Sequence, residues 1–395
     1  MLGLLLARAG VDVLVLEKHN DFFRDFRGDT IHPSTLDVLD ELGLGDRFAE
    51  VPQQHVAQLR ALTDNGMVTL VDLADLAGEH PHIAFVPQWD FLDFLTDAAR
   101  ELPHFELRMG AEVVGLLETA GRVAGVRYRT ADGLREVAAT LTVAADGRHS
   151  IVRRSAGLEP VAFGAPMDVL WFRLSREEGD PDATFGRFTA GHIVAMINRG
   201  EYWQVGYVIP KGSDAALREQ GVDTLRRSLA ALLPPFADRA QREPAGWDEV
   251  KTLEVQVNRL KRWHRPGLLC IGDAAHAMSP VGGVGINLAV QDAVAAANLL
   301  ARPLKEGRLE ESDLARVGRR RWLPTVVTQA FQRTVGRRVL APTLGGGGGR
   351  TPRAVSILGR SRFLRRLPAR LLGIGVLPEH VRIGRAPTGS ASEVA

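Results

Sequence analysis

The chain opens with apolar residues at helical spacing: Leu2, Leu5, Leu6 and Ala9 share one face, and Gly10 suits a C-terminal stop. Residues 11–16 then read as a short buried strand closed by Glu17. A second helix is predicted over 33–44, where Ser34 and Asp37 flank the start, Leu36, Leu39 and Leu42 recur at helical spacing, and Gly43 follows. Strands are expected at 68–74 and 83–86, and an amphipathic helix at 89–102. Short alternating strands run from 105 to 145, with a hairpin turn at Ala131-Asp132-Gly133. Residues 160–259 are again strand-like and gather Trp171, Phe172, Tyr202, Trp203 and Tyr207, which predicts a second, sheet-built domain. A buried strand at 267–271 and a long Ala-rich helix at 287–300 return the chain to its first architecture.

The 395 residues exceed the roughly 100–200 typical of one domain, so two or three packed units are expected. Lys plus Arg number 49 against 47 Asp plus Glu, a formal charge of +2, which is too balanced for a surface built to neutralise phosphates. No nucleic-acid partner is expected. Cys270 is the single cysteine, so no intrachain disulfide forms, and a reducing cytoplasm fits. No apolar run reaches the length of about 18 residues that spans a bilayer. Beyond residue 300 arginines outnumber acids threefold, and residues 345–349 are all glycine.

Three stretches carry candidate chemistry. Gly3, Leu6, Gly10, Val13 and Glu17 follow the spacing of the later part of a dinucleotide-binding βαβ unit, in which an acid at a strand's carboxyl end bonds ribose hydroxyls. Asp146-Gly147 follows a β-run and, alone, is a weak signal better explained by a turn. The densest block is Gly272-Asp273-Ala274-Ala275-His276, then Pro280-Val281-Gly282-Gly283-Val284-Gly285-Ile286-Asn287, then Asp292. A strand delivering Gly-Asp, a Pro/Gly loop and a helix N-terminus offer a carboxylate for a sugar-like chain and backbone N–H groups for an anionic or carbonyl edge.

With these motifs the sequence resembles the FAD-dependent aromatic-ring hydroxylases, the group A flavoprotein monooxygenases, in order from Gly3 to about residue 300. The resemblance implies an α/β fold. A Rossmann-like FAD-binding domain (residues 1–52, 88–160 and 261–300) is interleaved with a sheet-based substrate domain (53–87 and 161–260), and a helical, Arg-rich extension follows (301–395). It assigns Glu17 to the adenosine ribose, Arg27 in Phe26-Arg27-Gly28-Asp29 to an FAD contact, and Gln88 to the flavin's linker. Asp146-Gly147 would serve both FAD pyrophosphate and NAD(P)H. Gly272 and Asp273 would bind the ribityl part, Pro280 would lie beside the isoalloxazine, and the Gly285-Ile286-Asn287 backbone would face its pyrimidine edge. The family's first strand and Gly-x-Gly-x-x-Gly loop have no counterpart here, so the chain is expected to begin inside its first helix, through a misassigned start or as a fragment.

The implied reaction uses NAD(P)H, FAD and O2, through a flavin C4a-hydroperoxide, to hydroxylate an aromatic or polycyclic small molecule. No catalytic side chain is assigned, because the cofactor performs the oxygen transfer. The alternatives are an FAD-dependent oxidoreductase without oxygen transfer and a degenerate flavin-fold binding protein. Trp171, Tyr202 and Trp203 are candidate pocket residues, although strand aromatics more often fill a core. His32 reads first as a turn residue, His276 as a packed histidine bonded to a carbonyl, and Cys270 as inert filler. The histidines are too scattered to predict a metal site. The basic tail around Arg360–Arg370 reads either as a weak contact with an anionic membrane surface or, preferably, as a helix packed on the flavin domain or a homodimer partner.

Overall fold

The computed structural model describes residues 1–23, 30–346 and 362–383. Two parallel strand pairs organise the first unit: Val13–Leu16 runs beside Phe105–Arg108, and Thr142–Ala144 beside Leu268–Cys270. Parallel neighbours need long crossovers, which is why these partners lie so far apart in sequence. The helix Leu2–Arg8 packs against this layer, and a Cβ added at Gly3 would lie 2.9 Å from the Phe105 ring. Only glycine lets helix and strand approach that closely.

The helix Gly285–Lys305 begins two residues earlier and ends five later than its apolar run predicts, passing through Pro303. It is buried on nearly every side, with Val290, Val294, Ala297 and Ala301 in one core cluster and Ala296 and Leu300 in another. Among the described residues, the segment Val281–Lys305 is apolar and long enough to cross a bilayer, but most of it is buried inside the protein, as in a core helix.

The second unit is a seven-stranded sheet in the order Lys251–Leu253, Met167–Ser175, Tyr202–Pro210, His192–Asn198, Phe185–Thr189, Gln58–Thr63, Gly66–Asp72. Alternation divides its side chains between two faces. Leu170, Phe172, Met196, Trp203 and Val205 form one core with Leu225, Leu229 and Phe236. Met167, Val169 and Ile193 face the other way with Leu340, and Trp171, Phe188, Val208 and Val281 pack around them. The expectation of an all-strand region misses the helices Asp214–Glu219 and Val222–Leu232. Leu225, Leu229 and Leu232 carry helical spacing that marks the second of them.

The extension is helical, from Glu311–Val335 through a wider turn at Gly336–Leu340 to Ala341–Leu344. A last helix, Arg362–Gly373, buries Ala369 and Leu372 against Leu73, Ile83, Phe85 and Val284. Its basic amphipathic pattern therefore has an inward face packed on the protein, while Arg366, Leu367 and Arg370 stay exposed.

Candidate functional site

Thr142–Ala144 and Leu268–Cys270 run parallel in register, so the Asp-Gly and Gly-Asp motifs leave the carboxyl ends of adjacent strands. In open α/β sheets that end is where ligands bind. Gly147 has φ +81 and Gly272 has φ +58, a left-handed backbone that glycine adopts without strain. Two arginines tie the motifs together. Arg148 Nε lies 3.6 Å from Asp273 Oδ2. Buried Arg153 donates to the Ala274 carbonyl at 3.0 Å and to the Arg148 carbonyl at 2.7 Å. Asp146 Oδ2 accepts from Val152 N–H at 3.2 Å, which anchors the turn to the following helix.

From the Gly-Asp turn the chain passes Pro280 and a short 3-10 turn into the helix Gly285–Lys305. Among the described residues no side chain caps that helix, and none lies within 4 Å of a Cβ built at Gly285. A helix of 21 residues thus presents the N–H end of its dipole to an open approach. The Asn287 side chain is turned inward, its Oδ1 accepting from Ser34 Oγ at 3.0 Å and Thr35 Oγ1 at 2.6 Å. That leaves its backbone as the group available at the helix start.

Several residues that hold this loop were missed in the sequence. Gln332 donates to the carbonyls of Ser279 at 2.8 Å and Val281 at 2.9 Å and accepts from Ser279 N–H at 3.1 Å. Gln329 donates to the carbonyls of Asn258 and Ala277. Both sit three residues apart on one buried face of Glu311–Val335, a polar i, i+3 pair that reads as solvent-facing until the loop is laid against it. Thr30 Oγ1 donates to the Gly283 carbonyl at 2.8 Å, and His32 Nε2 lies 3.2 Å from the same oxygen. His32 is therefore more than a turn residue. Burial lowers its pKa to about 4, against the opposing pull of the Gly283 and Leu372 carbonyls, so its ring is neutral at pH 7.

His276 is packed as expected, but its Nε2 meets the Asp292 carboxylate at 2.6 Å rather than a carbonyl. Trp203 is wholly buried and donates to Asp180, which places it in the helix-covered core and away from any pocket. Trp171 alone of the two tryptophans faces the side where Val281 packs. Tyr202 opens its strand under the Arg173 guanidinium, 4.7 Å from the ring centre. Glu17 closes the strand Val13–Leu16 and accepts from His19 N–H at 2.9 Å. Gln88 opens the helix Gln88–Arg100, and Arg27 lies outside the described residues. Away from this loop, Asp40, Glu79 and His80 bring ligand atoms within 4.8 Å of one another at the surface, a grouping the sequence spacing does not reveal.

Adjacent parallel strands that deliver paired acid-glycine turns, followed by an uncapped helix start, define a dinucleotide-type cofactor fold. The chain belongs to the FAD binding domain family, whose model matches residues 1–330. It is an FAD-dependent flavoprotein monooxygenase. The 6-methylpretetramide 4-monooxygenase of Streptomyces rimosus is 35% identical over 326 residues, covering 81% of this chain and 77% of the relative. The 12-dehydrotetracycline 5-monooxygenase/anhydrotetracycline 6-monooxygenase of the same species is 30% identical over 318 residues, or 74% of this chain and 58% of that protein. The solved OxyS anhydrotetracycline hydroxylase from Streptomyces rimosus superposes with a TM-score of 0.75 at 24% identity, over 98% of this chain and 75% of that one.

Proposed function

We propose that this monooxygenase hydroxylates a polycyclic aromatic small molecule, bound between the loop-facing side of the seven-stranded sheet and the Pro280–Asn287 loop. The names of its relatives support that substrate class, since two act on tetracycline-type ring systems. The observation that carries the reading is the loop itself: a Gly-Asp turn and an open helix N-terminus on one short segment, held from behind by buried polar side chains.

FAD fits this donor set. Asp273 is half-exposed, able to accept from sugar-like hydroxyls, and the uncapped first turn suits a carbonyl or anionic ring edge. Glu17 would take the adenosine ribose, with Arg27 and Gln88 as further contacts, and Asp146-Gly147 would lie at the pyrophosphate and NAD(P)H side. Gly272 and Asp273 would hold the ribityl chain, Pro280 would flank the ring, and the backbone of Gly285, Ile286 and Asn287 would face its pyrimidine edge. When bound, FAD accepts hydride from NAD(P)H and delivers oxygen from O2 to the substrate. The chain's own part is to bind, orient and keep water out. The apolar wall of Met167, Val169 and Ile193 with Val281 serves that last task.

The division into an FAD-binding unit (1–52, 88–160, 261–300), a substrate unit (53–87, 161–260) and an extension belongs to the same proposal, as does a cytoplasmic location. The exposed face bearing Arg366, Leu367 and Arg370 is what the fold leaves for an anionic membrane surface or a second copy. The deciding experiment follows NAD(P)H oxidation by the FAD-loaded chain with a tetracyclic polyphenol under isotopically labelled O2. Label in the product supports the reading. Peroxide matching the NAD(P)H consumed, with no label transferred, would make the protein an oxidoreductase without oxygen transfer. Failure to bind FAD would leave a binding protein on a flavin fold.

A further inference from the structure

Behind the Gly-Asp turn lies a chain of buried charges that the proposed function does not use. Asp292 is fully buried and accepts three hydrogen bonds: from Gly272 N–H at 3.0 Å, from His276 Nε2 at 2.6 Å and from Arg321 Nε at 2.9 Å. Burial alone would raise its carboxyl; His276 and Arg321 outweigh that and hold it below the usual carboxylate range. Arg321, itself 1% exposed, reaches in the other direction to Glu379 at 3.6 Å. Glu379 is buried too, and Arg320 donates to both of its oxygens at 2.7–2.9 Å.

Glu379 sits on the segment that follows the last helix, and that segment is fastened at several points. Glu379 N–H donates to Gln291, Val381 N–H to Glu41 at 2.6 Å, and Asn298 both donates to the His380 carbonyl and accepts from Arg382 N–H. Leu377, just before it, has φ +50, a left-handed backbone that costs a branched side chain strain. Isolated buried charges are expensive, so a fixed line of alternating acid and base constrains geometry more than it adds stability.

We propose that Glu379 is a positioning residue: through Arg321 and Asp292 it fixes the Gly272 N–H and hence the direction in which Asp273 leaves the turn. The C-terminal segment thereby sets how the ribityl part of the flavin is held. The last clause rests on the assignment of Gly272 and Asp273 to FAD; the coupling to Gly272 does not.

The test uses the full chain with Glu379→Gln, and with Arg302→Gln, which breaks an exposed pair with Glu306, as the control. Amide hydrogen exchange in the flavin-free protein should speed up about tenfold at Gly272 in Glu379→Gln, with the helix Val222–Leu232 unchanged. The FAD dissociation constant, from quenching of flavin fluorescence, should rise about fivefold to tenfold, and the visible circular dichroism of the bound flavin should change. Arg302→Gln should match the wild type in all three. A Glu379→Gln protein with a lowered melting point but wild-type exchange at Gly272 and wild-type flavin dichroism overturns the proposal. If the wild type binds no FAD, the cofactor assignment falls and the exchange measurement alone decides the coupling. Should Glu379→Gln not fold, Arg321→Lys keeps the charge but loses the planar fork, and the same readouts decide.

Discussion

The core of the seven-stranded sheet and the loop from Gly272 to Asn287 are built by opposite means. The sheet core is mostly apolar: Phe172, Met196 and Trp203 interdigitate with the leucines of Val222–Leu232, and beside them the Asp180 carboxylate accepts from Trp203 and Arg239. The loop has no such core of its own and is shaped by hydrogen bonds from residues distant in sequence, such as Gln332, Thr30 and Asp292. A segment that must keep backbone N–H groups for a ligand cannot spend them on secondary structure. Its geometry is therefore imposed from outside, through its carbonyls and through the amides of Gly272, Ala277 and Ser279.

That contrast is tested most severely at Trp203. Trp203→Ala should cost about 3–5 kcal/mol in urea unfolding, by lost burial and a residual cavity, while FAD affinity per folded molecule stays unchanged. Loss of flavin affinity in this variant would mean that the two regions are not independent.

The next effect is set by pH. His32 has a folded pKa of about 4 against the ordinary 6.5, so below about pH 6.5 the unfolded chain binds a proton that the folded chain refuses. Stability should fall as pH drops from 6.5 to 4, by about 3 kcal/mol at most, with no contribution from this group above 6.5. Urea midpoints across that range should show the slope in the wild type and a shallower one in His32→Gln.

Gln332→Ala should cost about 1–3 kcal/mol, because the Ser279 and Val281 carbonyls lose their donor. Here the flavin affinity should fall along with stability, the reverse of Trp203→Ala. Leu367→Ser closes the series: the residue is 75% exposed, and its replacement should move the melting free energy by less than about 0.5 kcal/mol. A larger loss would reveal a covering surface on that helix.

What the sequence discloses follows the range of the interactions. Helices such as Leu2–Arg8 and Gln88–Arg100 are written in local periodicity, and the Asp-Gly and Gly-Asp turns in local glycine chemistry, so both were legible. The partners of those turns were not. Thr30 reaches Gly283 across 253 positions and Gln332 reaches Ser279 across 53, and a Thr or Gln carries no mark of such a distant acceptor. The aromatic residues show the same limit. Alternation separates Trp171 from its strand neighbour Phe172, but which face is core depends on where Val222–Leu232 packs, and no residue on the strand records that. The packing of His276 is legible in its Ala-Ala-His setting, yet its partner is a carboxylate sixteen residues on, on the next helix.

Cys270 gives the fold a clock. It is the chain's only thiol, fully buried in Leu268–Cys270, and burial pushes it up to about 12, with Asp146 adding to the shift. Neither thiol reagents nor peroxide released by an uncoupled turnover can reach a reactive thiolate there while the strands stay paired. The labelling rate of this one sulfur therefore counts openings of the parallel strands that carry both acid-glycine turns, without any probe being added to the protein.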